Sequence, residues 1–290
     1  MSILEKLKTR RKPNYKMPPG GTDAHCHVFG PGAVFPYAPN RRYTPEDAPK
    51  EHLRALHDHL GIDRAVIVQA SCHGIDNAAM LDCIASDPKR YRGVAIVNDD
   101  FTDKDFDALA AGGVRGVRFN FVKHLGGAPD MAVFNRVMDR IKGRGWHVVL
   151  HVDAPDIVPL SDMIRKIPVP FVIDHMGRVP GKDGVDQPPL KALLELHKLD
   201  GAWVKVCGSE RISMPPYAAA IPIARRIVEN RPDRVLWGTD FPHPNATHEA
   251  DEADLVDLVP KIAPDATLQR KLLVDNPAAL YGFSGGVRTT

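Results

Sequence analysis

The chain has 290 residues, of which 43% are hydrophobic and 26% are charged, and its formal net charge is +2 at pH 7. This composition is typical of a soluble globular protein with a sizeable core. It argues against binding to nucleic acid or to an acidic membrane surface, because there is no large excess of positive charge. The four cysteines form no Cys-x-x-Cys pair, so we expect no disulfide scaffold and place the protein in the reducing cytoplasm.

The first 17 residues are polar and basic and contain no apolar stretch. They resemble neither a signal peptide nor a membrane anchor, and we expect a flexible arm over residues 1–17. Residues 18–290 contain no linker rich in glycine or serine, which favours a single domain.

The first predicted strand, residues 22–28, carries two histidines two positions apart, His25 and His27. Side chains at positions i and i+2 of a strand point to the same face, so both imidazoles can converge on one ion or reacting group. The motif alone is weak evidence, because a single histidine at a strand end is more often a satisfied hydrogen-bonding residue than a ligand.

Seven more short runs rich in β-branched residues follow, each succeeded by a helical pattern such as residues 51–60 or 156–167. Most of these runs are apolar on both faces, as buried parallel strands are. Eight strand–helix units favour a closed (β/α)8 barrel of the TIM type over an open doubly wound sheet. The eight predicted strands are residues 22–28, 64–70, 93–97, 116–121, 147–152, 170–174, 203–207 and 235–238.

The long connection after the first strand, residues 30–49, is rich in proline and contains Tyr43. It is too long for an ordinary strand–helix loop, and two interpretations stay open: a lid over the barrel mouth and a surface excursion. No Gly-x-Gly-x-x-Gly sequence follows the first strand, which argues against a dinucleotide-binding fold.

Polar side chains cluster at the carboxyl ends of the predicted strands, where barrels of this type form their active sites. Taken alone, Asp240 could merely cap the following helix. Its convergence with histidines from three other strands favours one common site, and nitrogen and carboxylate ligands in this number suit Zn2+ or another divalent transition metal. A carboxylate beside a metal-bound water can accept its proton, which is hydrolytic chemistry. The converging residues are His25, His27, His151, His175 and Asp240.

Several sequence blocks, taken in order, resemble the amidohydrolase superfamily and, within it, the group of 2-pyrone-4,6-dicarboxylate lactonases. The resemblance extends from about residue 18 to residue 283, and the ordered series is far more specific than any single block. The blocks are DAHCHVFG at 23–30, QASCHG at 69–74, RFNF at 118–121, IDHMG at 173–177, WGTDFPHP at 237–244 and NPAALY at 276–281.

The resemblance implies a (β/α)8 barrel that opens a lactone ring by attack of water on the ester carbonyl. It implies that Asp240 is the base. The carbonyl would be polarised by His25, His27 and His175. Basic residues would bind the carboxylates of the substrate, because guanidinium groups grip carboxylates bidentately. The predicted substrate-binding residues are Arg118, Arg211, Lys123, His73, His124 and Tyr43.

Two departures from that group stand out, since lactonases of this kind have tyrosine where this chain has His151 and arginine where it has His124. They also work without a metal, whereas metal-binding branches of the superfamily use a histidine on the fifth strand. The predicted metal ligands are therefore His25, His27, His151 and Asp240, with His175 positioning the water. With His124 in place of an arginine, the residues that bind the acid groups of the substrate are altered. This change also suits a related, zinc-dependent activity, the hydrolysis of 4-sulfomuconolactone.

The predicted partner is a small anionic lactone from bacterial breakdown of aromatic compounds, and no nucleic acid or membrane partner is expected. Two alternatives stay open. The first is a metal-dependent decarboxylase of the same superfamily that acts on an unsaturated acid, and the second is a nonenzymatic barrel. The sequence predicts no oligomeric state.

Overall fold

The structure is a computed structural model that describes residues 3–284. Eight parallel strands follow one another around a single sheet in sequence order, and each pairs with its neighbours in the chain. The predicted TIM-type barrel is therefore confirmed. The strands are β1 Thr22–Cys26, β2 Arg64–Val68, β3 Tyr91–Ala95, β4 Val114–Asn120, β5 His147–His151, β6 Phe171–Ile173, β7 Ala202–Lys205 and β8 Val235–Leu236.

The barrel closes between β8 and β1 through backbone hydrogen bonds. The Asp240 N–H donates to the carbonyl oxygen of His25 at 2.8 Å, and the His27 N–H donates to that of Phe241 at 2.8 Å. A glycine is required at position 238, since a Cβ atom there would lie 2.6 Å from the backbone nitrogen of His25. This closure fixes both histidines of the His-x-His pair directly beside Asp240.

The buried carboxylate of Asp23 reinforces the same junction. It accepts hydrogen bonds from the His25 N–H at 3.0 Å, from the Thr239 N–H at 3.1 Å and from the Thr239 hydroxyl at 2.5 Å. The Nε2 atom of His57 lies 3.2 Å from its second oxygen. Asp23 therefore ties β1 to the chain that follows β8, and all of its neighbours here are buried.

Helices pack around the outside of the sheet, and the longer ones bury one apolar face each. In the helix at Lys50–Leu60 the buried face carries Leu53, Leu56 and Leu60, and the helix ends at Gly61, whose φ of 76° is left-handed. No helix in residues 3–284 combines the length and apolarity needed to cross a bilayer. The helices are α1 Ile3–Thr9, α2 Lys50–Leu60, α3 Ala78–Ser86, α4 Asp103–Ala111, α5 Met131–Lys142, α6 Ala154–Ile164, α7 Pro188–His197, α8 Ser209–Ile212, α9 Ala220–Asn230, α10 Glu252–Asp257, α11 Val259–Ile262, α12 Ala266–Arg270 and α13 Asn276–Tyr281.

The N-terminal segment over which a flexible arm is predicted, residues 1–17, is described from residue 3 onward. It contains α1, whose Leu7 is buried. Arg10 then pairs with Glu252, and Arg11 pairs with Asp257 at 2.8 Å. Two basic residues of this segment, Arg10 and Arg11, are therefore paired with acidic residues of α10.

The pairing of Arg10 with Glu252 continues into the protein through His243. Its Nε2 atom lies 3.4 Å from Glu252, and its Nδ1 atom lies 3.3 Å from Glu210. Burial lowers the pKa of His243, but the two carboxylates outweigh that effect and raise it to about 10. The imidazole is therefore charged at neutral pH and links α10 to the short helix α8.

This charged histidine makes the stability depend on pH in a defined direction. Because its folded pKa lies above the ordinary value, its stabilisation is fully present below about pH 6.5 and is lost as the pH rises through about 10. We expect the free energy of unfolding of the wild type to fall between about pH 6.5 and 9 by roughly 3 kcal/mol more than that of His243→Gln. Urea denaturation at several pH values measures the difference.

The matched control is His248→Gln, in the same loop, where the ring stacks on Tyr217. It should keep the pH slope of the wild type. Equal slopes for the wild type and His243→Gln would contradict the assignment of a charged, doubly paired imidazole at position 243.

Candidate active site

The centre of the candidate site is the contact of Asp240 with two histidines. His25 lies on β1, and His27 directly follows that strand. His27 Nε2 lies 3.3 Å from Asp240 Oδ1, and His25 Nε2 lies 3.6 Å from the same oxygen. All three side chains are buried. The structure therefore brings together the His-x-His pair and the aspartate after β8 that the sequence predicts as one site.

The hydrogen-bonding state of His27 makes this contact chemically informative. Its Nδ1 atom lies 2.7 Å from the carbonyl oxygen of Val68 and must donate its proton there, because a carbonyl oxygen only accepts. In the neutral ring, Nε2 then carries a lone pair and faces Asp240 Oδ1, which is also an acceptor. Two acceptors 3.3 Å apart require a cation or a proton between them.

His175 completes the cluster from the turn after β6. Its ring centroid lies 4.6 Å from that of His25, and its Nδ1 lies 4.0 Å from Asp240 Oδ2. His175 and Asp240 both adopt left-handed backbone conformations, with φ values of 51° and 62°. Such conformations cost roughly 1–3 kcal/mol each in residues other than glycine and concentrate at functional sites. The backbone strain aims both side chains into the barrel mouth.

Arg211 holds Asp240 in place, which differs from its predicted role in binding substrate. Its Nε and Nη2 atoms lie 2.6 and 2.5 Å from Asp240 Oδ2, and Nη1 donates to the Pro244 carbonyl at 2.8 Å. Burial raises the pKa of Asp240, but Arg211 and the neighbouring imidazoles outweigh it and hold that pKa well below its usual range. Asp240 is therefore ionised at neutral pH.

Asp174 and Lys205 form a buried ion pair beneath the cluster, and neither is among the predicted site residues. Asp174 Oδ1 lies 3.2 Å from both His25 Nδ1 and Lys205 Nζ, and its Oδ2 accepts from Arg118 Nε at 3.1 Å. Lys205 Nζ also lies 3.0 Å from His25 Nδ1. Lys205 ends a buried strand and Asp174 directly follows one, and charged side chains at such positions need partners. These positions are therefore the signal by which the sequence could have identified the pair.

A small cavity of about 20 Å³ opens above the cluster. Pockets that hold small ligands usually enclose roughly 300 Å³ or more, so a lactone has to displace part of the lining. The lining includes Tyr43, which places the segment 30–49 over the mouth and favours the lid interpretation. The lining residues are His27, Tyr43, Ser71, Arg118, His124, Leu125, His151, His175, Arg178, Arg211, Asp240, Pro244 and Asn245.

Two predicted substrate-binding residues are placed outside this cavity. Lys123 is exposed on the turn after β4 and does not line it. The His73 ring is held by the segment 30–49, because the Gly30 N–H donates to its Nε2 at 3.1 Å and its Nδ1 lies 3.2 Å from the Pro36 carbonyl. With both nitrogens in use, His73 fixes the segment 30–49 rather than a substrate. Arg118, His124 and Tyr43 do line the cavity.

His151 lines the cavity as well, but with a different partner from the predicted one. Asn120 donates from its amide nitrogen to Ser71 at 3.0 Å, and its amide oxygen lies 3.1 Å from His151 Nδ1. Nδ1 therefore carries the proton, and the buried Nε2 is an acceptor without a hydrogen-bond partner in the described residues. Burial and the nearby Arg118 hold the pKa of His151 well below its usual range.

Four groups of side chains in the described residues bring possible metal ligands together, and the one at the centre of the site is His25, His27 and Asp240, whose donor atoms all lie within 4.8 Å of one another. His25 Nε2 and Asp240 Oδ1 are buried and have no hydrogen-bond partner within residues 3–284. Burial lowers the pKa of His25 to about 3, so its ring is neutral, as a metal ligand must be. Two imidazole nitrogens and a carboxylate oxygen fit a divalent metal ion such as zinc.

The predicted set of four ligands is not assembled, because His151 belongs to no such group in the described residues. Its ring packs against His175 instead, with centroids 5.2 Å apart. The strand that carries His151 is β5, which lies across the barrel from the junction of β8 and β1. The sequence places the residue at the correct strand end but does not determine how far its side chain reaches.

The chain is similar to known proteins over most of its length. A family model described as amidohydrolase matches residues 22–283. The chain is 48% identical over 282 residues to a 2-pyrone-4,6-dicarboxylate hydrolase of Comamonas testosteroni, with 93% of this chain and 92% of that protein covered. It is 42% identical over 276 residues to a 4-sulfomuconolactone hydrolase of Rhizobium radiobacter, with 93% and 92% covered.

Solved structures show the same architecture. A probable 2-pyrone-4,6-dicarboxylic acid hydrolase from Acinetobacter baumannii, with citric acid bound, superposes with a TM-score of 0.80 at 28% identity. The match covers 91% of this chain and all of that chain, at 100%. The resemblance drawn from the sequence blocks is confirmed, and the chain belongs to the amidohydrolase family.

Proposed function

We propose that this protein hydrolyses an anionic lactone of the 2-pyrone-4,6-dicarboxylate or 4-sulfomuconolactone type during the breakdown of aromatic compounds. The observation that carries the proposal is the buried contact of Asp240 with His25 and His27. The cavity beside this contact is lined by the guanidinium groups of Arg118, Arg178 and Arg211. The names of the two relatives support the substrate class. The four cysteines are all free and buried, which supports a reducing, cytoplasmic setting.

Asp240 acts as the general base in the proposed reaction. A water molecule attacks the carbonyl carbon of the lactone, and its proton passes to Asp240. The bond between that carbon and the ring oxygen then breaks, and the leaving oxygen takes up the proton, so the ring opens to an acid. Asp240 is suited to this role because Arg211 keeps it ionised at neutral pH.

The imidazole of His175 stabilises the charge that develops on the carbonyl oxygen, because the Nε2 atoms of His25 and His27 face Asp240 as candidate metal ligands. Burial lowers the pKa of His25 to about 3 and that of His175 well below its usual range, so both rings are neutral. A neutral imidazole still offers one N–H donor, and a donor fixed in a buried site stabilises an oxyanion strongly. His175, 4.0 Å from Asp240 through its Nδ1, is also placed to orient the attacking water.

We further propose that His25, His27 and Asp240 hold one divalent cation, and that this cation is zinc, which commonly binds imidazole nitrogen and carboxylate oxygen. Such a cation would supply Lewis acidity that lowers the pKa of water and polarises the ester carbonyl. The proposal is supported by the two facing acceptors, His27 Nε2 and Asp240 Oδ1, and by the unpartnered Nε2 of His25.

The first test removes the base. In Asp240→Asn the side chain keeps its shape but cannot accept the proton, so kcat should fall by about 10²- to 10⁴-fold. Turnover of 2-pyrone-4,6-dicarboxylate and of 4-sulfomuconolactone, followed by absorbance, measures the change. Asp99→Asn is the control, because Asp99 pairs with Arg136 away from the site and its loss should leave kcat unaltered. Turnover by Asp240→Asn at the rate of the wild type would refute the proposed base.

The second test concerns the cation. Elemental analysis of untreated protein should find one equivalent of zinc per chain, and His27→Gln should lose it because a ligand is missing. His151→Tyr should retain the metal, since His151 lies outside the group of ligands. Removal of zinc by a chelator should abolish turnover, and added zinc should restore it. A metal-free preparation with full activity would disprove the proposed cation.

A further inference from the structure

His243 lies three residues after Asp240 and is held between two buried carboxylates. Its Nδ1 atom lies 3.3 Å from Glu210 Oε1, and its Nε2 atom lies 3.4 Å from Glu252 Oε1. Ionised carboxylate oxygens only accept hydrogen bonds, so both ring nitrogens must donate and the ring carries a positive charge. The His243 N–H also donates to the Asp240 carbonyl oxygen at 2.7 Å. His243 is therefore fixed both to the backbone of Asp240 and to two acidic side chains.

Glu210 connects this charged ring to Arg211, the next residue of α8. The Oε1 atom that faces His243 also lies 3.6 Å from Arg211 Nε. The same Nε atom donates to Asp240 Oδ2 at 2.6 Å, and Arg211 Nη2 lies 2.5 Å from that oxygen. Two carboxylates therefore share one guanidinium group, so the hold of Arg211 on Asp240 depends on Glu210 as well.

These contacts form an ion-pair network that runs from the protein surface to the candidate base. At its outer end Arg10 pairs with Glu252, and at its inner end Arg211 pairs with Asp240. The exposed fraction of the side chain falls from 19% at Arg10 to 1% at Asp240. Positive and negative charges alternate and balance along the network, which consists, in order, of Arg10, Glu252, His243, Glu210, Arg211 and Asp240.

A change at one member of this network affects its neighbours, because a buried charge without a partner is costly. Within residues 3–284, Glu210 has two cationic partners, His243 and Arg211. Without His243, Glu210 would draw Arg211 away from Asp240. Without Glu210, the charges of Arg211 and His243 would both act on Asp240 and make it less basic. Either loss therefore weakens the candidate base.

We propose that Glu210, His243 and Glu252 are positioning residues for the general base Asp240 and that they act on it through Arg211. This inference rests on the proposed function, because it concerns the base of the same reaction. None of the three positioning residues lines the active-site cavity. Their loss should therefore lower kcat and leave KM nearly unchanged, since no contact to the substrate is removed.

The test measures kcat and KM for 2-pyrone-4,6-dicarboxylate and 4-sulfomuconolactone, with zinc in excess, for variants along the network. Glu210→Gln and His243→Gln should each lower kcat by about 5- to 30-fold, with KM within about threefold of the wild-type value. Glu252→Gln, nearer the surface, should lower kcat by about two- to fivefold. Asp254→Asn is the matched control on the same helix, because Asp254 pairs with Arg11 outside the network, and it should leave kcat unaltered.

The double variant Glu210→Gln/His243→Gln distinguishes positioning from general damage to the fold. It removes one negative and one positive charge together, so the remaining network is balanced again, and the two amides can bond to each other. Its kcat should be no lower than that of the less active single variant, whereas independent defects would multiply the two losses.

Wild-type kcat in Glu210→Gln, or a double variant in which the two losses multiply, would overturn this inference alone. Circular dichroism checks that each variant is folded. If Glu210→Gln does not fold, the comparison of Glu252→Gln with Asp254→Asn decides, and equal kcat values would overturn the inference. Failure of the wild type to hydrolyse either lactone would overturn the proposed function and this inference with it.

Discussion

The closure of the barrel between β8 and β1 is the constraint on which the rest of the site depends. Backbone hydrogen bonds from Asp240 to His25 and from His27 to Phe241 hold the two chain segments together, and Gly238 permits their close approach. The backbone itself therefore sets the distance between the aspartate and the two imidazoles. A site built on such rigid elements keeps its geometry better than one built on loops.

Buried charges around this junction are paired almost throughout, as their desolvation requires. Arg211 neutralises Asp240, and Lys205 and Arg118 together neutralise Asp174. The atoms left without a protein partner are therefore informative, because they mark where a ligand or cation would bind. They include His25 Nε2, Asp240 Oδ1 and His151 Nε2, all in the barrel mouth.

The sequence predicts the strands well, because their signal is local. The fifth strand is predicted over residues 147–152 and observed at His147–His151. In a barrel of this type the carboxyl ends of all the strands meet at one face, where the active site forms. The meeting of His25, His27 and Asp240 follows from that alone. The reach of His151 does not, since it depends on the barrel's width and on the pairing of Asn120 with Ser71.

Contacts between distant residues explain what the sequence does not predict. Arg10 pairs with Glu252, which is far away in the sequence, and the basic composition of the N-terminal segment does not predict this partner. In the same way His73 is held by the segment 30–49, and Arg211 is held by Asp240. Each of these residues has the polarity that a binding role needs, but its partner is determined by tertiary packing, and local patterns carry no information about that partner.

The most direct test of the central claim is a crystal structure of Asp240→Asn with 2-pyrone-4,6-dicarboxylate. The variant should trap the intact lactone with its carbonyl carbon facing residue 240 and the carbonyl oxygen within hydrogen-bond reach of His175. A second, larger cavity of about 430 Å³ adjoins the site and shares Tyr43 with it. A lactone bound in that cavity, with its carbonyl turned away from residue 240, would contradict the account.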